Sequence, residues 1–375
     1  MAATTEADLH YANQPGRGRD AGAPTEIPVS GWKDVLWRVY RAIAQDRILL
    51  IAAGTSFYIL LALVPTLTAF VSIYGLFNDR ASVLDHIRLL AGLVPPGALQ
   101  IVEEQLTRLT AQSNDTLGIT LIVSLAIALW SASNGIKAMF EAMNVAYHEH
   151  ESRNFFVLNA TALLFTFCGA IAALLVISVV VVMPLIVGAL PLGGGLEWAV
   201  RVAAYMAMLL VLSAGIAAIY RWGPSRQNPR WRWITPGAIL AVVALGVTSV
   251  AFSWYVTNFS DDSATYGSLG AVIGLMTWLW ISVTIVIVGA ELNSEIEHQT
   301  AEDTTTGEEK PLGERGAHMA DTVGRVWPGA REKMEKREPE PRQRQKFSLG
   351  ALAFAVPAAA VLHLATKRNR PDQRQ

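Results

Sequence analysis

The sequence is short of cysteine and, over long stretches, of charge. Its one cysteine among 375 residues, Cys168, excludes an intrachain disulfide and a cysteine metal cluster, and reads as an inert packing residue inside an apolar run. Charge is missing in six windows: no Asp, Glu, Lys or Arg occurs in 48–78, 116–136, 154–196, 202–220, 233–260 or 263–290. Each window is about as long as a bilayer crossing requires. Soluble helices of that length would show a charged face, so a large soluble domain is excluded. The N-terminal segment also lacks the apolar core of a signal peptide.

What is present fits an all-α, polytopic integral membrane protein of six transmembrane helices. The formal charge of −1 hides a segregation by loop. Lys33, Arg38, Arg41 and Arg47 precede the first span, and Arg221, Arg226, Arg230 and Arg232 fill the connection between the fourth and fifth. The connections at 191–196 and 258–268 carry no Lys or Arg. Positive charge stays on the cytoplasmic side, so both ends of the six-span unit are expected there, in a bacterial inner membrane. Four stretches follow: a disordered cytoplasmic tail (1–30), the six-span membrane domain (31–298), a disordered charged cytoplasmic segment (299–346) and an apolar segment with a basic end (347–375). The last is open between a seventh span and an interfacial helix, because a seventh span would put Lys367, Arg368 and Arg370 outside.

From Gly31, the residues Trp32, Leu36, Val39 and Ile43 recur at helical spacing opposite Lys33, Asp34, Arg38, Arg41 and Gln45. The pattern suits a helix on the inner leaflet or a soluble helix capping the bundle. Pro65 kinks the first span, in which the phenol of Tyr58 needs a partner. Between spans one and two, residues 79–115 form two amphipathic halves split by Pro95 and Pro96, an external helical hairpin.

The second span continues past the membrane. Trp130, Asn134, Lys137, Glu141, Asn144 and His148 fall within an arc of roughly 80° on a helix advancing about 100° per residue. Lys137 and, on the sixth span, Glu291 both arrive at the cytoplasmic boundary after long uncharged runs. The expectation is a polar cluster of Tyr58, Asn134, Lys137, Glu291 and Asn293, with Lys137 and Glu291 paired directly or through Asn134 or Asn293, because a lone charge at that depth is costly. The alternative is that Lys137 snorkels to headgroups and Glu291 meets bulk water. On the external side Tyr255, Asn258, Asp261 and Tyr266 bracket the tight loop that leads into the sixth span. Gly270 and Gly274 form a small-xxx-small pair that lets another helix approach.

Several of these stretches occur together in a known family. GTSFYILLALVP, LWSASNGIKAMFEAMNVAY, WITPGA, YVTNFSDDSATYGSLGAVIGLMTWLW and GAELN resemble the YihY family of bacterial inner-membrane proteins, also called the virulence factor BrkB family and, in an older assignment, ribonuclease BN. The resemblance covers about residues 32–298. It implies a six-span helical membrane protein, commonly described as a transporter candidate, and carries over no catalytic or ligand residue.

Three functions are weighed. A transporter or permease fits a kinked first span and polar helix ends. The absence of Asp or Glu at mid-membrane depth disfavours a carboxylate relay of the usual kind and favours an amphipathic, uncharged or lipid-like substrate. A non-catalytic partner of an envelope lipid-handling system fits the external hairpin. A ribonuclease would need converging metal ligands, whereas Glu141, His148, Glu149, His150 and Glu151 point apart along one helix. No enzymatic activity, catalytic residue, metal or cofactor is expected. The 221–233 loop mixes Arg and Trp, which suits anionic lipid headgroups rather than nucleic acid. Beyond the bilayer, a homo-oligomer or an envelope protein is the partner left open. Cysteines placed at Gln227 and Ser263 in a Cys168→Ser background are expected to react with an impermeant thiol reagent from opposite faces of the membrane; labelling from one face overturns this topology.

Overall fold

The computed structural model describes residues 10–77, 117–189, 194–259 and 263–329. The expected hairpin at 79–115, Asp261 and the apolar run at 347–366 lie outside these residues, as do the Tyr266 side chain and the surroundings of Gly270. The described chain forms helices α1 (Val29–Gln45), α2 (Ile48–Phe77), α3 (Leu117–Ala146), α4 (Phe155–Ala189), α5 (Gly194–Trp222), α6 (Trp231–Phe259), α7 (Ser263–Glu297) and the short α8 (His318–Asp321). Among the described residues four stretches are long and apolar enough to cross a membrane, Phe155–Val176, Gly195–Trp222, Trp231–Val256 and Val272–Glu297, and α1 with the start of α2 makes a fifth if that bent pair is one span. The stretch in α7 is 33% buried within the protein, against 6% in α4 and in α6. Helix α7 is therefore the centre of the bundle, packed against α6, α2, α1 and α3.

Helix ends at one pole are set by local chemistry. At the end of α1 the Asp46 N–H bonds to Ala42 O at 2.8 Å, Arg47 turns left-handed at φ 52, and the chain bends by 62° into α2. Helix α3 ends in a Schellman motif: His148 N–H bonds to Val145 O at 3.0 Å and Glu149 N–H to Asn144 O at 2.8 Å. His148 occupies, at φ 53, the left-handed position that glycine usually takes. Arg153 donates to the Trp222 and Gly223 carbonyls at 3.2 and 2.8 Å, so a cation closes the negative end of α5.

The expected tails are ordered where the structure describes them. The buried Arg19 donates to Gln299 O at 2.9 Å and Gly324 O at 2.7 Å, and burial lowers its pKa to about 10. Arg315 donates to the carbonyls of Ala301, Glu302 and Ala320, while Asp321 accepts from the N–H groups of Gly313 and Arg315 at 2.9 and 2.8 Å. Residues 304–306 pair with 228–230 through Arg230 N–H to Thr304 O and Thr306 N–H to Asn228 O, both 2.9 Å. The composition of 10–30 and 299–326 is polar enough to suggest disorder. Side chain to backbone bonding, which composition does not register, folds both onto the end of α7 as a cap.

The amphipathic reading of α1 is also inverted in part. Asp34 and Arg38, assigned to the polar outer face, are buried, and Leu36 is exposed. Arg17 holds Asp34 at 2.8 and 2.6 Å, and Arg38 holds Glu295, so α1 caps the bundle with a charged inner face.

Helices α6 and α7 approach closely at two glycines. A Cβ on Gly237 would meet the Gly289 carbonyl, and one on Gly289 would meet the Gly237 carbonyl and the Tyr220 hydroxyl. Around Gly274 a Cβ meets nothing within 4 Å among the described residues. Overpacking a closed contact costs about 1–3 kcal/mol. Gly237→Ala and Gly289→Ala are expected to lower the melting temperature of the detergent-purified protein, while Gly274→Ala leaves it unchanged; equal effects at all three positions would refute this crossing.

Candidate functional site at the capped end of the bundle

Helix α7 ends in GAELNSEIE, which brings Glu291, Glu295 and Glu297 into its last two turns. Acids at a helix C-terminus oppose the helix dipole, so each calls for a partner. Two have one. Arg38 Nε lies 2.5 Å from Glu295 Oε2 and its Nη2 donates to Glu295 O at 2.9 Å. Arg226 forks onto Glu297 at 2.8 and 2.6 Å, with both side chains at most 1% exposed. Thr304 donates to the same carboxylate.

Glu291 has none. Its residue is 0% exposed, neither carboxylate oxygen has a hydrogen-bond partner, and the charges that bear on it are Asp46 and Glu295, both negative. Beside it in the same apolar cluster as Ile48, Ala52 and Ala290 lies Tyr147. That phenol stacks under Arg226 at 5.0 Å, and burial pushes its pKa up. Its hydroxyl faces the Asn293 amide without reaching hydrogen-bond geometry.

Asn293 is a structural clamp. Its Oδ1 accepts from Gly237 N–H at 2.7 Å and its Nδ2 donates to Ile234 O at 3.0 Å. Pro236 lies inside α6 and cannot donate to the preceding turn, which loosens the backbone there. Asn293 restores hydrogen bonding at that point, joining the GAELN and WITPGA stretches.

The expected Lys137 to Glu291 pair is not formed. Lys137 Nζ donates to Asn159 Oδ1 at 3.0 Å and sits 5.1 Å from the Trp130 ring, so it is satisfied by α4 and its own helix. Neither Asn134 nor Asn293 bridges the two. Asn134 is half-buried, and Tyr58 is exposed with its ring against Phe57. On α6, Tyr255 is exposed and Asn258 donates back to Trp254 O at 2.8 Å.

The basic loop is largely committed to the protein itself. Besides Arg226, Arg221 donates to Pro229 O at 2.6 Å and lies 4.5 Å over the Trp231 ring, and Arg230 donates to Thr305 O at 2.9 Å. Arg232, Trp222 and Trp231 remain exposed.

At the turn after α3, His148 Nε2 lies 3.4 Å from Asp46 Oδ2, and that carboxylate raises the imidazole pKa. Glu149 accepts from His318 N–H at 2.7 Å. Arg153 holds the Glu151 carboxyl down to about 2. These groups face different partners, and among the described residues no three His, Cys, Asp or Glu side chains are placed to hold a metal ion.

An apolar helical bundle with a charged, folded cap at one end defines a membrane protein. The chain belongs to the Virulence factor BrkB family, whose sequence model matches residues 39–313. It is 31% identical over 261 residues to YfkH of Bacillus subtilis, a protein named ribonuclease-like, covering 65% of this chain and 88% of that one. It is 28% identical over 280 residues to a UPF0761 membrane protein of Neisseria meningitidis serogroup B, covering 71% of this chain and 64% of that one. A UPF0761 membrane protein of Xanthomonas campestris is 27% identical over 270 residues, 69% of this chain and 59% of the relative. This chain thus spans about three fifths of the last two. No solved structure matches it.

The buried acids were signalled in the sequence by three glutamates in one helix terminus, and their arginines by the basic runs before α1's end and α6. Because Lys137 and Glu291 have no shared partner, Lys137→Glu and Glu291→Lys are expected to add in membrane abundance, with a coupling below about 0.5 kcal/mol. Arg226→Ala, which strands Glu297, is expected to cost about 3–5 kcal/mol. Recovery in the Lys137→Glu/Glu291→Lys double mutant would restore the pairing.

Proposed function

We propose that this chain is a transporter or permease of the bacterial cytoplasmic membrane, with six spans and both ends of the six-span unit cytoplasmic, acting on an amphipathic, uncharged or lipid-like molecule without enzymatic chemistry. The observation that supports this reading is the half-buried Lys137 on the surface of apolar helices, held by Asn159 and flanked by Trp130. A polar head and an apolar wall in one place suit an amphipathic molecule. Exposed Trp222, Trp231 and Arg232 suit the headgroup layer, and this narrows the lipid contact of the 221–233 loop to those three. The second reading, a non-catalytic partner of an envelope lipid-handling system, is supported by the ordered cap, which offers a folded surface to another protein.

The ribonuclease name borne by the Bacillus subtilis relative finds little support in the site, since Glu149, Glu151 and His148 are each engaged with different groups. Purified protein reconstituted into liposomes with a fluorescent short-chain phospholipid, read by a membrane-impermeant quencher, is expected to equilibrate the label between leaflets faster than protein-free vesicles. The rate is expected to fall in Lys137→Met and Asn159→Leu. Equal rates with and without protein, together with a stable co-purifying membrane protein, would overturn the transport reading in favour of the second.

A further inference from the structure

We propose that Glu291 is a proton-binding site, occupied by one proton at neutral pH and filled and emptied from solvent through Asp46 and His148. The argument is one of enclosure and partners. An ionised carboxylate needs donors or a cation when it is taken out of water. Glu291 is 0% exposed and both its oxygens lack a partner.

The charges that act on it, Asp46 and Glu295, are both negative, and Arg38, Arg226 and Lys137 are spent on other partners. Helix α7 brings Glu295 and Glu297, tied to Arg38 and Arg226. Helix α1 brings that same Arg38 and, at its end, Asp46. Helix α3 brings Tyr147, His148 and Lys137, the last held by Asn159. The α2 residues nearest the site, Ile48, Ala52 and Ser56, carry no charge, and α6 packs its Ile234 and Ala238 here. Asp321 of α8 is occupied by backbone N–H groups, and the His318 N–H bonds to Glu149. A proton needs one carboxyl oxygen, whereas a hard metal cation needs six or more oxygens, and no metal-holding group of acids and histidines exists among the described residues.

The inferred route to solvent starts at the end of α1. Asp46 caps that helix two residues before Ile48, which packs in one cluster with Tyr147 and Ala290 beside the site, and its Oδ2 lies 3.4 Å from His148 Nε2. The His148 side chain is 44% exposed, that of Asp46 19%. Polarity and exposure thus rise outward along Glu291, Asp46 and His148. In loading, the His148 imidazolium gives its Nε2 proton to Asp46, Asp46 passes a proton to the Glu291 carboxylate, and water reprotonates the imidazole. Unloading runs in reverse. His148 holds a left-handed backbone at φ 53, a conformation that costs a non-glycine residue energy and that aims the ring at Asp46.

This site supplies the transport reading with a coupling ion, and its test involves no transport, so the two fail separately. Infrared spectra of the full chain in lipid nanodiscs, with glutamate carboxyls carbon-13 labelled, are expected to show a protonated-carboxyl band at about pH 7, far above the ordinary carboxylate range. The band is expected to vanish in Glu291→Gln and, in Glu291→Asp, to move from the glutamate label to an aspartate label. Transfer into heavy water shifts the band, and Asp46→Asn is expected to slow that shift about tenfold or more. No such band in the wild-type protein, as a carboxylate neutralised by sodium would give, overturns the proposal. So does a band unmoved by both Glu291 variants. An unchanged exchange rate in Asp46→Asn overturns the route.

Discussion

The arrangement of the capped end depends on how a helix that finishes in three acids is neutralised. Glu291, Glu295 and Glu297 add to the negative pole of α7 rather than offset it. Arg38 and Arg226 neutralise two of them from two separate segments earlier in the chain. To deliver those guanidinium groups, α1 must lie across the end of α7 and the loop before α6 must fold under it. Residues 10–30 and 299–326 then fold over that end, tied to each other by Arg19, held internally by Arg315 and joined to the loop by the short pairing at 228–230. The cap is thus a consequence of the charge at the end of one helix.

The same logic fixes the apolar part of the bundle. Asn293 is anchored on the α6 backbone at Ile234 and Gly237, which holds α6 against α7 at the Gly237 and Gly289 crossing. Tyr220 of α5 adds a bond to Val286 O at 2.7 Å, and Trp280 of α7 donates to Leu49 O of α2 at 2.9 Å. Polar side chains that donate to or accept from the backbone of another helix are effective where apolar packing alone gives little direction, as in a bilayer. Helix α4 has no such anchor toward α7 among the described residues, and its apolar stretch is only 6% buried.

Much of this was legible in the sequence, and the failures have a common cause. Charge-free windows located the long helices, because a missing charged face is a property of one segment. The family resemblance rested on stretches that turn out to meet, WITPGA against GAELN. The Lys137 and Glu291 pair failed because depth along the membrane normal is readable from run length, whereas rotation about each helix axis is not. Lys137 faces α4 and Glu291 faces the interior. Disorder was misread at 10–30 and 299–326 because composition counts apolar residues and does not see Arg315 satisfying four carbonyls at once. Asp34 and Arg38 were placed outward for the same reason: a charged residue was taken as solvated when it was paired. The external hairpin, Asp261 and the apolar run at 347–366 lie outside the described residues, so those expectations stand as they were.

Membrane depth and enclosure are separate quantities, and the distinction bears on how an acid can work in such a protein. A carboxyl at the bilayer centre is costly because lipid surrounds it. Glu291 follows the uncharged run of α7, and it is the protein itself that encloses it. The environment therefore depends on the cap staying closed, which a lipid-buried acid does not require. A proton on Glu291, as inferred above, removes its repulsion with Asp46 and Glu295, so its occupancy stabilises this enclosed arrangement, which the pairs of Arg38 with Glu295 and Arg226 with Glu297 hold together.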